Sequence, residues 1–187
     1  ELLSMPQPDT SLVYANVLYR FGRGMTLAQQ NKIREARQEL ENLKLLMKDS
    51  RLAVPMTPFS SALQGAVVAE NLLNGSIALG EKKYEEAIAM LEKAVDAEEN
   101  MVYNQPRDWL LNPKHYLGNA YLKAGQWQKA KNVFQNDLEN NNENGWALFG
   151  LYQAFTTGSR KAEGERVFAR FKKAFAKADT ELHGPVF

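Results

Sequence analysis

Apolar residues recur along this chain at helical spacing. Ala87, Leu91, Ala94 and Val95 form one stripe, Ala130, Val133, Phe134 and Leu138 a second, and Phe168, Phe171 and Phe175 a third. Residues three and four apart share one face of a helix, so each stripe predicts an amphipathic helix that buries that face against a neighbour. No segment sustains the two-residue alternation of a strand, and the pattern therefore predicts an all-α chain. The stripes also echo one another. Leu117, Tyr121, Ala130 and Phe134 are answered 34 residues later by Leu151, Phe155, Gly164 and Phe168. A fixed period of this length means that one small helical unit is being stacked, because a single unit cannot bury its own apolar face.

The rhythm extends upstream with longer intervals. Gly75 to Ala94 and Gly24 to Leu43 carry the same order of small and apolar residues, with Ala87 lying 43 residues before Ala130 and Ala36 lying 51 before Ala87. The surplus residues fall where prolines stand, around Pro106 and Pro113 in one case and Pro55 and Pro58 in the other, and proline argues against a continuous helix there. Within each unit Asn31, Gly80, Gly125 and Gly158 with Ser159 mark a left-handed turn between two helices. Ser61 and Gln64 have the spacing of a capping box and predict a helix start after the proline-marked stretch at Pro55 and Pro58. These signals predict eight helices in four pairs, at about 11–49, 60–98, 112–140 and 144–178, within a single helical-repeat domain over 1–187.

Leu117-Gly118-x-x-Tyr121 followed by Gly125-x-Trp127-x-x-Ala130-x-x-x-Phe134 resembles the tetratricopeptide (TPR) repeat, which combines Leu-Gly-x-x-Tyr with a central Ala and a later Phe. The last unit departs from it, with Tyr152 where a Gly is usual and Gly164 where the central Ala is usual. The third unit has Lys114 and Asn142 where the repeat carries Trp and Pro. Tyr103 to Trp109 and Asn144 to Leu151 look more narrowly like the C-terminal part of larger bacterial TPR-repeat proteins, and this likeness would make the chain a fragment. The resemblance implies a right-handed α-solenoid whose concave face binds a peptide or protein partner. It further implies that first-helix residues spared from packing line that face: His115, Asn119 and Lys123 in the third unit, Phe149 and Gln153 in the fourth, and Phe21 and Met25 in the first. His, Asn and Lys at i, i+4 and i+8 form one stripe able to hold a peptide backbone or carboxylate; the alternative is a solvated polar face. Phe21 and Met25 stand where the clamp for acidic chaperone tails would need Lys and Asn, which argues against that ligand.

Arg107 and Trp109 join the candidate partner-binding residues, because aromatics and Arg dominate interface hot spots. The competing reading, favoured because an insertion must satisfy its own apolar groups, has Tyr103 and Trp109 fold back over an exposed repeat edge. Charge adds little. The net charge is +1 over 187 residues, with an acidic stretch from Glu81 to Glu99 and a basic stripe of Arg166, Arg170, Lys173 and Lys177 that reads as the wet side of a last helix. Nucleic acid is an unfavoured partner on this ground. The chain has no cysteine and two histidines, and it lacks HExxH, a Gly-rich phosphate loop and a GxSxG elbow, so the residues point to no enzyme, cofactor or metal. No run reaches the roughly 18 apolar residues of a membrane span. The chain starts at Glu1 with no Met, so it is expected to be a piece from which a signal peptide or a whole upstream domain has been removed. This leaves the compartment open between the cytoplasm, slightly favoured, and the periplasm or exterior. Two functions follow: a scaffold binding a partner on the concave surface, or a domain that packs against another part of its own larger polypeptide.

Overall fold

Four turns with one backbone design set the architecture of the computed structural model, which describes residues 2–56, 60–102 and 109–186. Each turn ends a first helix with a residue in the left-handed region: Asn31 (φ 58°), Lys82 (φ 61°), Gly125 (φ 74°) and Ser159 (φ 58°). The amide after it reaches back five residues, as from Lys32 to Leu27 (2.8 Å), Lys83 to Ala78 (3.0 Å), Gln126 to Tyr121 (2.8 Å) and Arg160 to Phe155 (2.8 Å). This is the Schellman arrangement, which satisfies the last carbonyls of one helix while reversing the chain into the next. Gly80 and Gly158, expected to supply the left-handed residue, do not. A Cβ added to them would sit 2.7 Å from Ile33 Cδ1 and 2.6 Å from Trp127 Cδ2, so these glycines permit close helix approach instead.

The described residues hold eight α-helices and no strand: α1 (Val13–Gln29), α2 (Ile33–Leu46), α3 (Ala62–Gly80), α4 (Tyr84–Glu99), α5 (Pro113–Lys123), α6 (Trp127–Asn140), α7 (Gly145–Thr157) and α8 (Lys161–Ala174). They fall into two compact units, Glu1–Leu111 and Asn112–Phe187.

In the first unit α1 packs on α2 and α3, and α3 packs on α4. Ala36, Leu40 and Leu43 of α2 and Ala87, Leu91 and Ala94 of α4 are all buried, the faces that the spacing predicts. The Ser61 amide donates to Gln64 Oε1 at 2.9 Å in the expected capping box. The stretch before it is anchored by Leu52, buried in a short 3-10 turn over Ser50–Ala53. Glu39 of α2 receives Arg20 (3.0 Å) and Arg23 (2.9 Å) from α1, while Arg37 grips Glu81 through two bonds of 2.9 and 2.6 Å. That grip, with Lys83 beside it, holds the Glu81 carboxyl down at about 2.

In the second unit α5 packs on α6 and α7, and α7 packs on α6 and α8. Asn112 and Asn144 cap the two first helices, accepting from Lys114 N (3.0 Å) and Ala147 N (3.2 Å). Ala130 of α6 is fully buried, as the central small residue of the repeat should be. Ala130→Leu is expected to overpack this site and cost about 1–3 kcal/mol. A thermal melt tests it, and an unchanged midpoint would show that the packing register at Ala130 is wrong.

Candidate functional site

The polar stripe predicted on α5 divides in the structure. His115 is only 8% exposed, and its Nε2 lies 3.0 Å from Asp137 Oδ2 of α6. It therefore faces its pair partner rather than an open groove. The other Asp137 oxygen accepts from Asn112 Nδ2 (2.5 Å) and Asn141 Nδ2 (2.6 Å). Burial pushes the Asp137 carboxyl up, but the bond and charge from the His115 ring, with Asn141 and Asn112, outweigh burial and hold it below its ordinary value. Asn112 thus serves both ends of its amide, its oxygen capping α5 and its nitrogen tying that cap to α6. Lys114, also buried, donates to Asn136 at 2.7 Å. The result is a fixed polar seam between α5 and α6.

One and two turns farther along α5, Asn119 and Lys123 do reach an opening. They line a depression of about 290 Å³ with Gln153 and Tyr152 of α7, and His183 and Gly184 form another part of its wall. Adjacent first helices bring these three predicted residues, Asn119, Lys123 and Gln153, together at one place. Gln153 Nε2 donates to the His183 carbonyl at 3.5 Å. Two carboxamides and an ammonium around one cleft offer hydrogen bonds to peptide groups and a counter-charge for a carboxylate.

Phe149 serves packing rather than this cleft. Its ring sits 6.1 Å from Tyr152 and 5.1 Å from Phe171, and the series continues through Phe171 to Phe175 (5.0 Å) and Trp146 (6.3 Å). These rings, each half-buried, bind α7 to α8. The expected basic stripe on α8 is partly compensated, since Arg170 bonds Glu143 at 2.6 Å and holds that carboxyl below its usual range.

In the first unit the inner-face position Phe21 is covered by Trp109, ring to ring at 5.2 Å and edge-on. Trp109 is 6% exposed and its indole nitrogen is buried without an acceptor among the described residues. It packs as an insertion residue folding back, and its ring is not presented to a partner. Arg107, with Tyr103 and Pro106, lies outside the described residues. Sequence reasoning missed Asp137, Asn112 and Asn141, whose polar character on an amphipathic helix or in a turn reads as solvated. It also missed the returning backbone at His183, where Gly184 and Pro185 signal a loop but give no hint of the surface it meets. Among the described residues no group of three or more His, Asp or Glu is placed to hold a metal ion, and no helix is long and apolar enough to cross a membrane.

No protein-family model matches the chain. It is 29% identical over 164 residues to the β-barrel assembly-enhancing protease of Escherichia coli K12, with the same figures for the proteins of that name from Shigella flexneri and Escherichia coli O157:H7. The matched region is 84% of this chain, which spans about 28% of the length of those relatives. Among solved structures it is similar to the nearly identical TPR-like repeats of a Podosopora anserina kinesin-light-chain protein, with a TM-score of 0.57 at 15% identity, covering 89% of this chain and 78% of that one. A point variant of that protein matches with a TM-score of 0.57 at 15% identity, over 87% of this chain and 76% of its own. With four helix pairs closed by one kind of turn, this likeness gives the chain a tetratricopeptide-like fold.

Proposed function

We propose that this chain is a noncatalytic protein-interaction scaffold that binds an extended peptide of a partner protein along the inner face of its second unit. The observation that carries this reading is the cleft in which α5 and α7 bring Asn119, Lys123 and Gln153 together, with a stretch of backbone already bonded to Gln153. A carboxamide pair satisfies peptide groups without regard to side chain, while Lys123 selects for a nearby negative charge. His115 contributes from beneath by fixing α5 on α6 through Asp137. Phe149 and Trp109 contribute packing.

A second reading has its own support. The chain matches about 28% of relatives whose name is that of a protease, so the same cleft would serve equally to hold another segment of one larger polypeptide. Photo-crosslinking separates the two. A photoreactive residue at Gln153 of the full-length protein, irradiated in its own cells, is expected to yield an adduct with a second chain, whereas adducts confined to the same chain at residues other than the neighbouring 176–186 would support the second reading. Asn119→Ala combined with Lys123→Ala, in the photoreactive background, is expected to weaken binding about thirtyfold and to lower the adduct yield accordingly below saturation, since two lost hydrogen bonds at about 1 kcal/mol each total about 2 kcal/mol. An undiminished yield would mean that the cleft is not the binding site.

A further inference from the structure

The segment after α8 does not leave the second unit. α8 closes at Phe175, whose ring lies against Trp146 at the start of α7. Eight residues further along the chain the His183 carbonyl meets Gln153 of α7. The distance along α7 from Gly145 to Gln153 is about 12 Å at 1.5 Å per residue, which the intervening residues span with slack. Leu182 to Val186 is non-helical; Pro185 is buried, and Leu182, Gly184 and Val186 are half-buried. Gly184 is not there for want of space, because an added Cβ would meet only ordinary contacts at 3.7 Å or more. The cleft of Asn119, Lys123 and Gln153 is thus walled on one side by a segment of its own chain, at His183 and Gly184.

We infer that Leu182–Val186, a non-helical segment bent at His183 to Pro185, is a tethered stand-in for the partner that closes one side of the cleft in cis and has to be displaced for a partner peptide to bind along α7. The inference rests on the reading of that cleft as a peptide site. Two features mark the segment as a displaceable wall rather than a fixed one. Its hydrogen bond to Gln153, at 3.5 Å and exposed, is at the outer limit of length. The residues facing the cleft, His183 and Gly184, also offer no carboxylate to Lys123. Weak contacts suffice in cis because a short tether keeps the effective concentration near the millimolar range. The partner that fits is therefore a non-helical peptide that offers a carbonyl to Gln153, a proline or small apolar residue in the place of Pro185, and, unlike the resident segment, an acidic side chain within reach of Lys123. Such a ligand keeps the backbone contact and adds a charge-assisted one.

The absence of native cysteine allows a direct test on the full chain. A nitroxide on Val186→Cys is expected to broaden the NMR signals of the Asn119 and Gln153 side-chain amides, and a millimolar synthetic peptide of residues 179–186 with Glu in place of His183 is expected to restore them. Broadening no greater than that from the same concentration of free nitroxide would show that the segment is not seated. Broadening that the peptide leaves untouched would show a fixed part of the fold. Either result overturns the inference. In a parallel titration Pro185→Lys, which puts a charge of the same sign as Lys123 at a buried position and evicts the segment, is expected to bind the labelled peptide about tenfold more tightly, as removing a segment seated about nine-tenths of the time requires; equal affinity would also overturn it. Should this variant lose its helical circular dichroism, the nitroxide experiment decides alone. A seated, displaceable segment together with no second-chain adduct from Gln153 would remove the partner reading while leaving the segment's role intact. A second-chain adduct with no seated segment would do the reverse.

Discussion

Phe134→Ala is expected to destabilise the second unit by about 3–5 kcal/mol, the range for losing a fully buried aromatic ring from a core that cannot collapse around the space. The ring has no solvent exposure, and two glycines make room for it. A Cβ on Gly118 of α5 would stand 2.3 Å from Phe134 Cζ, and so would one on Gly150 of α7. One side chain from α6 therefore fills the space in which the first helices of two successive repeats converge. With glycines on both sides, no neighbouring side chain is available at those positions to swing into the vacated volume. At about 2–4 °C per kcal/mol for a chain of this size, the thermal midpoint should fall by roughly 10 °C. Gly118→Ala makes the argument sharper. Alone it forces its methyl into the ring and should destabilise; in the Phe134→Ala background the methyl enters vacated space and should be tolerated. The coupling in this double-mutant cycle is the quantity that reports the contact. Equal costs for Gly118→Ala in the two backgrounds would disprove the packing described here.

The same residue shows what was legible beforehand. Phe134 and Ala130 stand at fixed places in a 34-residue echo, and a period of that length demands stacked helix pairs whatever the residues between them. Helix position and buried face follow from spacing alone, and so does the capped start at Ser61, because these are local properties of the chain. Lys82 defeated the same logic. A left-handed residue is usually Gly or Asn, yet here the Schellman bonds between Lys82 and Leu79 and between Lys83 and Ala78 hold a lysine in that conformation, leaving Gly80 free to admit Ile33. Gly164 is the converse case. It replaces the usual Ala of the repeat, and its surroundings, with nothing nearer than 3.7 Å to an added Cβ, do not require Gly. For the candidate site, Asn119, Lys123 and Gln153 were identifiable from repeat register. His115 shared that register, but its role is set by a carboxylate 22 residues away on another helix. The destination of the segment at His183 was invisible for the same reason, since a Gly-Pro pair announces a loop without specifying the surface to which it returns.

That carboxylate is the other place where a single substitution should have a large effect. Asp137 has no solvent exposure and is one of the few buried charged residues. Asp137→Ala leaves Asn112, Asn141 and His115 facing a void, and is expected to cost about 3–5 kcal/mol, the range for breaking a buried pair by removing one member. The loss should spread to the start of α5, because Asn112 caps that helix with the amide that Asp137 holds in place. Asp137→Asn keeps the shape but removes the charge, and with its oxygen toward Asn112 and Asn141 it turns an NH2 donor toward His115 Nε2, so it should fall between this variant and the wild type. The pH dependence identifies the cause. The Asp137 carboxyl lies below its ordinary value of 3.8 in the folded state, so its contribution is complete above that value and is lost as pH falls through the folded pKa. Glu81 and Asp49, both held at about 2 by neighbouring basic groups, lose stability in the same direction. The informative quantity is therefore the difference between wild type and Asp137→Asn in urea unfolding. That difference should be greatest at neutral pH and shrink as the solution is acidified below about pH 4. A difference that stays constant down to about pH 2 would show that charge on Asp137 has no part in joining α5 to α6, and that the network around His115 acts through shape alone.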